Sequence, residues 1–298
     1  MATKKDNFKR NVILTSIVAG FFLIIANSAL WANRYIFDTD NFTSTAVTSI
    51  TSESSRKALA TEITDRALAD YPKASAIVSD KAASLLTGLL GSDTVEKITT
   101  KAVSKLQVFL TSPVREPVEY NFVGLKETIT KLIEVTGRED ETRIDVTKIP
   151  DSVTLFDPAD YPNFYNASVT LNWLSPIAFL GAVALIGWPY AKRRTQFRWT
   201  LLSQGVIIVG AGLFAMLLGP LFRPLLLGEI QSPNVRVIVG NLYDAFIATF
   251  NSQSLAIVLV GVLMMAAVGV LKIYNLRQLK VSKKPANSTV KKISKKTK

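Results

Sequence analysis

Four long apolar stretches dominate the pattern of hydrophobic and polar positions along the chain. They cover residues 11–32, 171–190, 200–221 and 254–274, and each is free of charge except for Lys272 at the edge of the last. A helix needs about 20 apolar residues to cross a hydrocarbon core of roughly 30 Å. Because backbone groups in lipid must bond within their own segment, the pattern predicts four transmembrane helices. Buried helices of a soluble protein are the alternative, but such runs are usually shorter.

The segment between the first two stretches, residues 33–170, has mainly helical periodicity. Asp38 and Asp40 offer helix caps, and Asp93 with Glu96 three residues later has the pattern of a capping box. Further along, residues 143–147 and 152–156 alternate between polar and apolar. That change of period predicts a small two-stranded element among the helices.

The segment after the third stretch contains a second amphipathic pattern. Apolar residues recur there every four positions, at Ile238, Leu242, Phe246 and Phe250. This spacing predicts an amphipathic helix within residues 232–251, on the outer membrane surface or under the outer domain. Pro220 and Pro224 are expected to end or kink the preceding membrane helix.

Lysine and arginine are sorted to one side of the predicted membrane. Residues 1–10 carry a net charge of +3, the loop 191–199 carries +4, and the chain from Lys272 onward has ten Lys/Arg and no acid. In contrast, residues 33–170 carry −5 and the loop 222–253 is neutral. The positive-inside rule therefore puts both termini in the cytoplasm, in a multi-pass plasma-membrane protein. The first stretch exceeds a signal peptide's apolar region, which favours an uncleaved signal anchor.

The predicted fold class is an all-α membrane protein with four transmembrane helices. Its mainly helical extracytoplasmic domain contains the small two-stranded β element. Small residues let membrane helices approach closely, which predicts a packed bundle. The glycines concerned are Gly181, Gly187, Gly210, Gly212, Gly261 and Gly269. No GxxxG dimer face is evident, so self-association stays open.

Composition excludes several kinds of chemistry. The chain has no Cys and no His, which removes thiol nucleophiles, the commonest metal ligand and any Ser-His-Asp triad. No ionisable residue lies in the middle of a predicted membrane helix, as a charged transport pathway would require. The acidic pair Asp38 and Asp40 matches no calcium loop and is interpreted as capping. We therefore expect no enzymatic activity, no cofactor and no metal.

The tail, residues 275–298, is rich in lysine and has the composition of a disordered segment. Each Lys or Arg near an anionic leaflet contributes about 1 kcal/mol to membrane binding. Anionic lipid contact is therefore the first interpretation of the basic loop and tail, ahead of a pure topology signal. Nucleic-acid contact is least favoured because no aromatic residues interleave with the lysines. The candidate lipid-contact residues are Lys192, Arg193, Arg194, Lys280, Lys283 and Lys284.

Three short motifs carry a resemblance to known sequences. They are WANRYIFDTDNF after the first apolar stretch, KALATEITDRAL at residues 57–68 and KIPDSVTLF at residues 148–156. With this layout, the chain resembles a group of uncharacterised integral membrane proteins of actinobacteria and related bacteria. The resemblance implies the four-helix topology and a helical outer domain, and it implies no activity or catalytic residues.

Three functional hypotheses follow from the sequence. The first is a non-enzymatic cell-envelope protein whose outer domain binds or scaffolds a protein, wall or lipid partner. The second is a transport or permeability component for an uncharged or apolar substrate. The third is a membrane sensor that acts through a partner, since the cytoplasmic segments are too short for an output domain.

Overall fold

The computed structural model describes residues 2–67, 72–114, 118–121, 152–156, 163–192 and 196–282. Its helices are α1 (Ala2–Tyr35), α2 (Thr39–Ile50), α3 (Glu53–Ala67), α4 (Pro72–Leu90), α5 (Asp93–Thr111), α6 (Tyr165–Lys192), α7 (Phe197–Gly228) and α8 (Pro233–Ser282). Its strands are β1 (Val118–Asn121) and β2 (Ser152–Phe156). The described part of the chain is therefore mainly helical.

Four of these helices are long and apolar enough to cross a membrane. Their membrane-length segments are Asn7–Tyr35, Tyr165–Lys192, Phe197–Gly228 and Pro233–Tyr274, with mean hydropathies between 1.8 and 2.7. Each contains one of the four apolar stretches of the sequence, so the prediction of four such helices is confirmed. Each also extends beyond its stretch, because a helix continues until a cap or a breaker stops it rather than until its apolar residues end.

The separate amphipathic helix expected within residues 232–251 is instead the first part of α8. That helix has 50 residues and is about 75 Å long, well over the hydrocarbon thickness. Its continuity has a simple cause, because no glycine or proline occurs between Gly240 and Gly261. In α7, Pro220 and Pro224 lie inside the helix, which ends only at Gly228.

Caps explain where two of the shorter helices begin. Asp38 is the N-cap of α2, and its carboxylate accepts a hydrogen bond from the Asn41 amide at 2.9 Å, as predicted. The N-cap of α5 is Ser92, whose hydroxyl accepts from the Val95 amide. The predicted cap, Asp93, is the first residue of the helix. Its negative charge in the first turn still interacts favourably with the positive end of the helix dipole.

The two strands pair antiparallel, with Tyr120 opposite Val153 and an irregularity after Val118. Residues 152–156 therefore form a strand at the predicted position. Their partner in the structure is β1, whereas the predicted partner, residues 143–147, lies outside the described residues. Residues 118–121 were not predicted as a strand, because four residues after a helix give too short a pattern to recognise.

The chain divides into two compact units. Unit 1 comprises Met1–Asn27, Pro176–Leu218 and Asn251–Lys298, and unit 2 comprises Ser28–Ser175 and Gly219–Phe250. In sequence, unit 1 has 18 Lys/Arg against one acidic residue, Asp6, whereas unit 2 has 17 Lys/Arg against 22 Asp/Glu. The division by contact therefore coincides with a division by charge.

Candidate functional site

In unit 1, helices α7 and α8 approach until their backbones touch. A Cβ atom built on Gly261 would lie 2.8 Å from the Gly205 carbonyl oxygen and 2.8 Å from the Val209 amide nitrogen. About two turns after Gly205, a Cβ on Gly212 would lie 2.7 Å from a methyl carbon of Val258. Only glycine fits at such distances, so these residues set the spacing of the two helices.

A second feature of unit 1 is a buried glutamine that links α7 to α6. The Gln204 amide donates to the Ile186 carbonyl at 2.9 Å, and its oxygen accepts from the Tyr190 hydroxyl at 2.6 Å. Pro189 lies between those two residues in α6 and has no amide hydrogen to donate within the helix. Gln204 is fully buried, and both of its polar atoms find partners on α6 on either side of that proline.

Helices α1 and α8 are joined by a third group of buried polar side chains in unit 1. Asn27 donates to the Ser254 hydroxyl at 2.9 Å. The Gln253 amide donates to both the backbone and side-chain oxygens of Asn27, at 2.9 and 3.0 Å. Such bonds between membrane helices contribute roughly 0.6–2 kcal/mol each. These bonds join α1 to α8 near the end of the first apolar stretch.

Of the predicted lipid-contact residues, Lys192 has a described side chain. It is exposed, and its ammonium lies 4.3 Å from the centre of the Trp188 ring. Lys280 lies within α8, and the remaining predicted residues, Arg193, Arg194, Lys283 and Lys284, lie outside the described residues. The lipid contact of these six residues therefore stays a prediction.

Two other cations of unit 1 lie against uncharged groups. The Lys9 ammonium is 5.7 Å from the centre of the Trp199 ring, and the Arg198 guanidinium donates to the Leu271 carbonyl at 3.4 Å. With a single acid in the sequence of unit 1, its cations have almost no counter-charge within the unit. Their balancing charge must therefore come largely from outside it.

In unit 2, a buried glutamine fixes the passage from α1 to α2. The Gln107 side chain of α5 donates to the Phe37 carbonyl at 3.0 Å and to the Ile36 carbonyl at 3.3 Å, and it accepts from the Thr39 hydroxyl at 2.7 Å. Its side chain is 1 % exposed. The Gln107 side chain thus forms hydrogen bonds with two backbone carbonyls and one hydroxyl in the turn between α1 and α2.

Helix α3 is bound to the first turns of α8 through polar side chains. Glu62 accepts from the Ser232 hydroxyl at 2.6 Å. Nearby, the Asn241 amide donates to the hydroxyls of Ser54 and Ser55 at 2.8 and 2.9 Å. Two attachments at separate points along α3 fix its direction as well as its position.

Aromatic contacts attach α1 and α2 to the same helix. Trp31 donates its indole N–H to the Thr249 hydroxyl at 2.9 Å and packs edge-on against Phe250, with 5.3 Å between ring centres. Phe42 packs against Phe246, again at 5.3 Å. The apolar stripe that predicted an amphipathic helix is thus partly buried against α1 and α2.

The ion pair between Arg223 of α7 and Asp244 of α8 is bidentate. Its two N–O distances are 2.9 and 3.0 Å, and the two side chains are 45 % and 53 % exposed. Beside it, the Tyr243 hydroxyl donates to the Gly219 carbonyl at 2.7 Å. Gly240 lies under the guanidinium, where an added Cβ would come within 3.4 Å. In the sequence these charges indicate only a neutral loop, and nothing in their spacing indicates that they pair.

The described residues contain no group of three or more His, Cys, Asp or Glu that could hold a metal ion. The polar side chains described above bond to one another and to the backbone, in arrangements that join helices. One of these bonds joins a hydroxyl to a carboxylate, that of Ser232 to Glu62, and it too links two elements of unit 2. Within the described part of the chain, the geometry therefore serves to fix helices in place.

These features define a multi-pass membrane protein with four helices that are long and apolar enough to cross a membrane. Comparison adds no closer assignment, since no family model, curated protein or solved structure matches the chain.

One sequence signal could have located the α7–α8 contact. Gly205, Gly212 and Gly219 are seven residues apart, and all three face α8 within their own units. A repeat of seven keeps residues on one helix face, so the spacing alone indicates a helix–helix seam. Gly212 was predicted to pack against another helix, whereas Gly205 and Gly219 were not. That prediction rested on how many small residues each stretch contains and not on the spacing between them.

Proposed function

We propose that this chain is a non-enzymatic integral protein of the cell envelope, with both termini in the cytoplasm. Unit 2 lies outside the plasma membrane and binds or scaffolds a protein, wall or lipid partner. The basic segments of unit 1 contact anionic lipids at the cytoplasmic face.

The division into two units supports this orientation. Four membrane crossings bring the segments before the first helix, between the second and third, and after the fourth to one side, and the other two connections to the opposite side. The two units separate the connections in the same way, and unit 1 has the basic segments. Positive charge in short loops favours the cytoplasmic side. The charge of the cytoplasmic leaflet then provides the counter-charge that unit 1 lacks.

The observation that carries the scaffolding role is the way α2 and α3 are fixed to α8. A unit on flexible linkers would need no contact with membrane-helix ends. In unit 2, Phe42 of α2 packs against Phe246 of α8, and Ser54 of α3 accepts from Asn241 of α8. Glu62 of α3 also accepts from Ser232, the residue before α8. Binding surfaces on rigid elements avoid the ordering cost that a mobile surface would incur on association. Unit 2 is therefore suited to hold a partner in one orientation.

The transport hypothesis receives less support. A passage between membrane helices needs space, whereas the Gly205–Gly261 contact brings α7 and α8 together at backbone distance. That contact leaves no passage between those two helices.

Cysteine labelling tests the orientation, and the natural chain has no cysteine to give background. Single-cysteine variants Lys101→Cys in α5 and Arg198→Cys in α7 replace exposed basic residues in units 2 and 1. A membrane-impermeant maleimide should label Lys101→Cys in intact cells and Arg198→Cys only after permeabilisation. The reverse result would overturn the orientation.

Site-directed crosslinking in native membranes tests the scaffolding role separately. A photoreactive group at position 101 should give a single adduct of defined mass with the full chain, and one at position 198 should not give that adduct. Adducts of no defined mass, or the same adduct from both positions, would count against a partner bound by unit 2.

A further inference from the structure

The Arg223–Asp244 pair has unused hydrogen-bonding capacity on an exposed surface. A guanidinium has five N–H donors, of which the two oxygens of Asp244 accept two. A carboxylate accepts about four hydrogen bonds, and two of those positions are occupied by Arg223. Since each side chain is about half exposed, the remaining donors and acceptors are open to a ligand.

The level of this pair relative to the bilayer can be read within unit 2. Trp31, at the end of the first apolar stretch, bonds Thr249 of α8, and tryptophan marks the membrane interface. Asp244 lies one and a half turns before Thr249, so it is about 7–8 Å further along the helix axis. The headgroup layers add about 5–7 Å on each side of the hydrocarbon core. Asp244 is therefore at the outer edge of the headgroup layer, and Arg223, which follows the third predicted span by two residues, lies within that layer.

An exposed apolar part of α7 ends immediately before the pair. Leu221 and Phe222, immediately before Arg223, are 62 % and 56 % exposed. They continue the membrane-length segment Phe197–Gly228 up to the ion pair. A charged pair at the end of an exposed apolar segment matches the layout of a phospholipid, in which the charged headgroup follows the acyl chains.

We propose that Arg223 and Asp244 bind the headgroup of a zwitterionic phospholipid that has a primary amine. The phosphate oxygens accept from the free guanidinium N–H groups, and the ammonium donates to the free carboxylate positions. The acyl chains extend from there along the membrane-length segment of α7. The pair and the headgroup are both neutral overall and both dipolar, so they complement one another without adding net charge to the surface.

Charge complementarity distinguishes this headgroup from its alternatives. An anionic headgroup without an amine would leave Asp244 beside a phosphate with no cation to bridge them. A quaternary ammonium has no N–H to donate, so it loses the hydrogen bonds to the carboxylate. The proposed orientation would put this lipid in the outer leaflet, and that part of the proposal rests on the proposed function. The recognition of the headgroup does not depend on it.

Lipid retention by the purified full chain tests the proposal. The protein in detergent is offered equal amounts of phosphatidylethanolamine, phosphatidylcholine and phosphatidylglycerol, and native mass spectrometry counts the lipids that stay bound. We expect phosphatidylethanolamine to be retained about tenfold more strongly than either alternative, which is the ratio that one charge-assisted hydrogen bond of about 1.4 kcal/mol gives. Equal retention of all three, or a preference for phosphatidylglycerol, would overturn the proposal.

Variants assign the preference to the two residues. Asp244→Asn keeps the side-chain shape and should abolish the preference for phosphatidylethanolamine over phosphatidylcholine, and Arg223→Gln should lower the retention of both. Arg236→Gln is the matched control, because that exposed arginine in unit 2 donates to the Ile230 carbonyl instead of a carboxylate. A preference that survives Asp244→Asn, or that Arg236→Gln removes equally, would refute the assignment. The wild-type comparison decides the matter if a variant fails to fold, and cysteine labelling tests the orientation independently.

Discussion

Replacing Gly261 by alanine tests the α7–α8 contact with a single methyl group. The new Cβ would lie 2.8 Å from the Gly205 carbonyl oxygen, the Val209 amide nitrogen and a Val209 methyl carbon. Two of those three atoms belong to the backbone, so a change of rotamer cannot relieve the overlap. Gly269→Ala is the matched control, because it lies eight residues later in the same helix and its Cβ meets nothing within 4 Å.

The expected magnitude follows from how far the helices must move. Nonbonded carbon contacts are optimal at about 3.5–4.0 Å, so the helices must separate by about 0.5–1 Å, and that gap forfeits a quarter to a half of each contact energy. Overpacking of this kind costs about 1–3 kcal/mol. Alanine also gains up to about 1 kcal/mol over glycine in a helix, at both positions. The gain cancels in the comparison, so Gly261→Ala should be less stable than Gly269→Ala by about 1–3 kcal/mol.

Equilibrium unfolding of the purified full chain in mixed micelles measures this difference, with intrinsic tryptophan fluorescence as the signal. Gly261→Val should be less stable still, and adding Val209→Ala to Gly261→Ala should restore part of the loss by removing one of the three overlaps. Equal unfolding free energies for Gly261→Ala and Gly269→Ala would refute the close approach of α7 and α8.

Three further predictions concern polar side chains. Gln204→Leu should lower the unfolding free energy by about 1–2 kcal/mol, and a double-mutant cycle with Tyr190→Phe should show non-additivity, whereas strict additivity would contradict their hydrogen bond. Gln107→Ala should lower it by about 2–4 kcal/mol, since buried groups lose partners and a cavity forms, and a loss below 0.5 kcal/mol on the same assay would contradict this. Glu62→Ala should speed amide hydrogen exchange in α3 relative to the exposed control Asp65→Ala, and equal rates would argue that the Ser232 bond does not hold α3 in place.

Most of the helical architecture could be predicted from the sequence. A membrane helix can be recognised from its own segment of sequence. In lipid it needs a continuous run of apolar residues, and its backbone groups must form hydrogen bonds within the segment. The Asp38 cap was equally visible, since a cap acts on an amide three residues away. Where helices end was less predictable: Pro220 and Pro224 did not stop α7, and the polar residues 251–253 did not break α8. The partner of β2 could not be predicted, because strand pairing depends on residues far apart in the chain.

The candidate site was predicted less completely. The sequence singled out Lys192 and its neighbours as lipid contacts by charge alone, and that expectation stays a prediction. From the sequence, Arg223 and Asp244 are only opposite charges within a neutral loop. The packing of α7 against α8 is what shows that they form a bidentate pair on an exposed surface. Gln107 was not singled out, because a lone glutamine on a helix gives no sign that it will be buried.

The sequence by itself determined the four membrane-length helices, the uneven distribution of positive charge and the absence of histidine and cysteine chemistry. Each of these properties belongs to a single segment or to the composition, so it can be read without knowing which segments are neighbours in the fold. The tertiary structure decided which small and polar residues matter. Gly261 contacts the backbone of α7, whereas a Cβ on Gly269 would meet nothing within 4 Å. Both are glycines of the same apolar stretch, and they differ because only one lies on the helix face that meets a neighbour. The same reason separates Glu62, which bonds α8, from Asp65 one turn away.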